Sequence, residues 1–119
     1  MNNFGLPERT IEELIAYFKI KPEIELVKIF GSRAKGTYHI GSDIDLAVWT
    51  DMQDSFFRIA GEPDDLPTPY KFDVIDYKNL SHEGMKNSID KDGIVFFIDE
   101  ISVIRKRMIV NLSFIRWLT

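Results

Sequence analysis

Three short runs rich in β-branched and apolar residues constrain this chain more than anything else in it. They are IELVKIF (Ile24–Phe30), which Gly31 ends, DIDLAVW (Asp43–Trp49) and YKFDVIDY (Tyr70–Tyr77). All three read as strands, and a fourth, GIVFFI (Gly93–Ile98), reads as a shorter one. Segments of helical period surround them. Behind Pro7 the residues Ile11, Leu14, Ile15 and Phe18 share one helix face, and a short helix is expected over 54–60. Another helix starts from a cap at Asn79 or Ser81 and runs to about Asp90. Ile101, Ile104, Met108, Leu112, Ile115 and Leu118 recur at spacings of three and four, an amphipathic helix over about 100–118. The prolines of GEPDDLPTPY mark a loop. The order helix, strand, strand, helix, strand, helix, strand, helix predicts an α/β fold: a single domain with a small mixed β-sheet flanked by helices.

At 119 residues one domain is expected. No run reaches the roughly 18 apolar residues that a membrane span needs, and no signal-peptide pattern opens the chain. The absence of cysteine excludes disulfides and thiolate metal sites and fits a reducing cytoplasm. The net charge of −4 argues against direct nucleic-acid binding. Residues 101–119 run against that charge, with Arg105, Lys106, Arg107 and Arg116 and no acid. Such a basic segment on an acidic body serves as a contact surface, for a partner or in a homodimer, or simply as a solvated helix face.

The chemistry concentrates between Lys28 and Trp49. Asp43 and Asp45 stand two apart on a strand, so their carboxylates leave one face about 7 Å apart along the chain, while Ile44, Leu46 and Val48 point to the core. Paired carboxylates repel unless a cation lies between them, and hard oxygen donors suit magnesium. Upstream, Gly31 permits close backbone approach, Ser32 offers a hydroxyl and an N–H, and Arg33 and Lys35 supply positive charge that would attract a phosphate. Known motifs that share these residue types fail here. Gly36 is followed by Thr37 and Tyr38, which breaks a P-loop, and the glycine of an EF-hand would fall at Val48. An Asp-x-Asp phosphatase would place its acids at the strand's exit, whereas these stand at its entrance. Asp73 and Asp76 lie three apart on the next strand, so alternation puts them on opposite faces. His39 and His82 read as surface residues, and Trp49, Phe56 and Phe57 as core.

Gly31-Ser32, ten intervening residues and Asp43-x-Asp45 resemble the signature of the DNA polymerase beta-like nucleotidyltransferase superfamily. GSRAKG and SDIDLAV resemble in particular its minimal members, small proteins paired with HEPN-domain toxins. The likeness covers a core of about 10–98 and fades in the C-terminal helix. It implies that Asp73, in FDV, is the third acid, and that Asp43, Asp45 and Asp73 bind two magnesium ions and carry the catalysis. It implies that Gly31 and Ser32, with Arg33 and Ser42 nearby, hold the nucleotide. It further implies ATP as donor of AMP, with pyrophosphate released and a tyrosine of a HEPN-domain toxin as acceptor, so that the protein acts as the antitoxin. Larger relatives carry extra domains that hold the acceptor; 119 residues leave no room for one, so a small acceptor or one delivered by another protein is expected. A non-catalytic binding antitoxin and a small-molecule, aminoglycoside-type nucleotidyltransferase are the competing readings.

Overall fold

The computed structural model describes residues 3–51, 58–101, 104, 105 and 108. Helix α1 (Glu8–Lys19) enters directly behind Pro7, whose fixed φ suits a helix start. Strand β1 (Ile24–Phe30) follows, then a single helical turn, α2 (Gly31–Lys35), where the sequence reads as an open turn. Strand β2 spans Ile44–Thr50, β3 spans Phe72–Asp76, α3 spans Glu83–Asp92 and β4 spans Ile94–Ile98. The expected helix over 54–60 falls largely outside the described residues; 58–61 are helical and lead into a 3₁₀ turn, Glu62–Asp65. Of the expected C-terminal helix, 100, 101, 104, 105 and 108 are helical and the remainder lies outside the described residues.

The strands form one mixed sheet in the order β3-β2-β1-β4. β1 is antiparallel to both β2 and β4, whereas β2 and β3 run parallel. A parallel neighbour requires a crossover, and the segment 51–71 supplies it. On one face Leu14 and Phe18 of α1, with Ile59, form a single cluster with Val27 and Ile29 of β1 and Ile44, Leu46 and Val48 of β2. Burying each such side chain fully stabilises the fold by roughly 1.5–3 kcal/mol.

The opposite face is covered over only part of its length. There Ile89 of α3 packs on Phe30 and Ala47, with Trp49, Ile75 and Tyr77 around them. Helix α3 is capped by neither Asn79 nor Ser81 but by His82, whose Nδ1 accepts the Met85 N–H at 3.0 Å. Trp49 stacks on Tyr77 with ring centroids 4.1 Å apart, in keeping with a packing role. Phe56 and Phe57 lie outside the described residues. The same face of β2 that α3 closes at Ala47 is open at Asp45 and Asp43, and the candidate site lies there.

Candidate active site

β2 and β3 start side by side because the Ile44 N–H donates to the Lys71 carbonyl at 2.8 Å. From that point the parallel register pairs Asp45 with Asp73 and Ala47 with Ile75. Partners in register on adjacent strands share a face, so Asp73 stands beside Asp45. Asp76 belongs to the other pleat. One of its oxygens accepts from Asn79 Nδ2 at 2.8 Å, and the other is buried with no hydrogen bond among the described residues. Asp43, one residue ahead of the strand, and Asp73 are exposed, while Asp45 is half-buried between them.

Electrostatics follow from that placement. Burial pushes the Asp45 carboxyl up to about 6, and the charges of Asp73 and Asp43 push in the same direction; nearby Arg33 opposes them. Asp45 also touches the turn. Gly31 has φ +70°, and a Cβ built on it would lie 2.3 Å from Asp45 Oδ2. Glycine is therefore required twice at this position, for the left-handed backbone and for the space the carboxylate occupies. Half-buried Ser32 is the next residue, and its carbonyl accepts the Thr37 N–H at 3.0 Å, closing the turn. Gly31 of the turn and Asp45 of the acid pair, fourteen residues apart in sequence, thus pack against each other.

Arg33 and Ser42 do not stand as sequence reasoning expected. Arg33 is buried, 2% exposed, with Nε and Nη2 on the Ser42 carbonyl (3.2 and 2.8 Å) and Nη1 on the Phe4 carbonyl (3.0 Å). The rings of Tyr38 and Tyr70 lie 5.3 and 5.1 Å from the guanidinium. The Ser42 hydroxyl accepts the His39 N–H at 2.7 Å. Both side chains therefore hold the loop together. A cation in a glycine-rich loop reads as a phosphate ligand because two of its partners, the Phe4 carbonyl and the Tyr70 ring, come from distant segments. Lys35 lies 3.8 Å from Asp92, and His39 is exposed. Among the described residues no three acidic or histidine side chains are gathered into a metal-binding group. None of the described helices is long and apolar enough to cross a membrane.

A parallel β2–β3 pair with an acid on each strand, and a glycine turn against one of them, defines a class as well as a site. Residues 12–101 match the family model described as "Polymerase beta, Nucleotidyltransferase". The chain belongs to that nucleotidyltransferase family. Among curated protein sequences no match is found. Among solved structures, a chain from the crystal structure of a toxin–antitoxin with AMP-PNP is similar at 21% identity and a TM-score of 0.60, over 95% of this chain and 98% of that one. The toxin–antitoxin MntA-HepT matches at 15% identity and a TM-score of 0.57, over 94% and 98%. The tri-AMPylated Shewanella oneidensis HEPN toxin in complex with MNT antitoxin matches at 15% and 0.57, over 93% and 97%. At these identities the likeness speaks for the fold, and the match is nearly end to end on both sides.

Proposed function

We propose that this protein transfers AMP from ATP to a hydroxyl of a partner protein, a tyrosine of a HEPN-domain toxin, and thereby serves as its cytoplasmic antitoxin. One observation carries the reading: Asp45 is held against the Gly31 turn with Asp73 in register beside it and Asp43 just ahead. Family membership supports nucleotidyl transfer, and the near full-length likeness to toxin–antitoxin chains, one with AMP-PNP and one with an AMPylated toxin, supports this donor and acceptor.

The donor set fits hard divalent cations. Asp45 carries the charges of Asp73 and Asp43 beside it in addition to its burial, and a cation would relieve that repulsion. Magnesium takes some of its oxygens from phosphate and water, so three carboxylates need not form a closed cage beforehand. When bound by Asp43, Asp45 and Asp73, two magnesium ions supply charge neutralisation for the triphosphate and acidify the acceptor hydroxyl. The chain's own residues do the rest. Ser32, behind Gly31, offers its hydroxyl and N–H to phosphate oxygens. Asp43 and Asp45 orient the donor, and exposed Asp73 accepts the acceptor's proton. The acceptor oxygen bonds to the α-phosphorus as the bond to the bridging oxygen breaks, and pyrophosphate leaves. A tyrosine hydroxyl, with an unperturbed pKa near 10, needs such activation at neutral pH.

The test is to incubate the protein, or its Asp43→Asn variant, with a HEPN-domain partner, ATP and magnesium, and to map adducts by mass spectrometry. An AMP mass on a tyrosine, made by the wild type alone, is expected. A partner left unmodified yet inhibited equally by both versions would replace the enzyme with a binding antitoxin.

A further inference from the structure

We infer that Arg33 is a positioning residue for Asp43, and that the turn Asn3–Leu6 is the buttress that holds Arg33 in place. The inference rests on the reaction proposed above. Two arms of the guanidinium donate to one oxygen, the Ser42 carbonyl. That oxygen belongs to the planar peptide unit whose nitrogen is Asp43's, so a fork on it fixes the plane from which Asp43 departs. The next residue, Ile44, is fixed by its own bond to Lys71. Asp43 is thus held from both sides by bonds that touch neither its carboxylate nor any ligand.

The third arm explains why the N-terminal turn matters. Nη1 donates to the Phe4 carbonyl, within a tight turn closed by Leu6 N–H to the Asn3 carbonyl at 2.9 Å. Phe4 has φ +58° and Gly5 φ +69°, and the first is a conformation that phenylalanine rarely adopts. Its surroundings hold it there: the Phe4 ring packs 6.0 Å from Phe96, and Asn3 Oδ1 accepts the Gly5 N–H at 3.0 Å. Tyr38 lies directly on Gly5, where a Cβ would meet its Cε2 at 2.1 Å. The path from the turn to Asp43 is continuous: Phe4 and Gly5, then Tyr38 and Arg33, then Ser42. A guanidinium this deeply buried, with carbonyls for partners, is a costly fastener. Strain and buried charge gathered beside an acid face mark a place where position matters more than local stability.

The test compares Arg33→Lys, which keeps the charge but loses the fork, and Gly5→Ala, which disturbs the buttress far from the acids in sequence. Arg9→Met, an exposed side chain at the start of α1, serves as control. In both test variants kcat falls on the order of 100-fold, the scale of a 1 Å misplacement, and nucleotide affinity by calorimetry falls less. Amide exchange without nucleotide speeds up at Ser42, Asp43 and Ile44 while Leu14 and Ile89 keep wild-type rates. Should Arg33→Lys fail to fold, Gly5→Ala decides. Wild-type kcat in either folded variant, or exchange that rises equally at Leu14 and Ile89, overturns the inference. If the wild type itself transfers nothing, the proposed reaction fails, and the exchange pattern still decides on the clamp.

Discussion

Along one side of β2 the chain presents Asp43, Asp45, Ala47 and Trp49, and the two halves of that row live under opposite rules. Ala47 and Trp49 lie under α3, where Ile89 and Phe30 complete a small apolar cluster. Asp45 and Asp43 lie beyond the helix, where like charges crowd one another and a glycine makes room for a carboxylate. The covered half lowers the free energy of the fold, while the acid half raises it in the absence of a cation. Packing accounts for the residues of the first half and charge for those of the second, on a single strand.

The largest expected effect is at the acid end. If Asp45 is the cation ligand proposed above, Asp45→Asn should lower transfer about 10³-fold or more, measured with saturating nucleotide. The same variant should be no less stable than the wild type without metal. A carboxyl raised from 3.8 to about 6 retains its proton in the folded state after the unfolded chain has lost it. Stability therefore falls as pH rises between those values and stays reduced above them. Because Asp45 is partly solvated, removing the penalty should stabilise the protein at pH 7 by at most about 1 kcal/mol. Thermal melts across pH 3.5–7 should show this slope in the wild type and lose most of it in Asp45→Asn.

Gly31→Ala strikes the junction of turn and acid. A left-handed alanine costs about 1–2 kcal/mol before the clash with Asp45 is counted, so both Tm and rate should fall. At the covered end the two readouts separate. Ile89→Ala should lose about 2–5 kcal/mol in denaturant unfolding, with transfer per folded molecule nearly unchanged. The smallest effect is expected at Asp76→Asn, which should stay within about twofold of the wild-type rate, whereas Asp73→Asn should lose about 10²-fold or more. Exchanged outcomes for that pair would break the assignment of faces on which the comparison stands.

Much of this was readable in the residues. β1 matched to the residue, because a run of apolar and β-branched positions ended on a glycine that packing needed. β2 and β3 were displaced by only a residue or two at their ends, and alternation placed Asp43 and Asp45 together. Sheet order was not legible: that β4 pairs with β1, and β3 with β2 in parallel, depends on long-range packing that no local pattern encodes. The helical turn α2 is not legible in the sequence, since five residues carry too little periodicity to declare themselves. His82 was passed over as a cap because its ring does what serine or asparagine usually does. The burial of Arg33 is not legible for a deeper reason: charge announces solvent or ligand, and nothing local says that Phe4 and Tyr70 converge on it.

The reaction proposed for the acid face is transfer of the nucleotidyl group, the α-phosphorus together with its nucleoside. It is tested most directly with ATP labelled at the α- or the γ-phosphorus, incubated with magnesium and a HEPN-domain partner. The expected result is α-label on the partner with the wild type and none with Asp43→Asn, while γ-label leaves in pyrophosphate and never reaches the partner. Transfer of the γ-label, or α-labelling that survives Asp43→Asn, would contradict it.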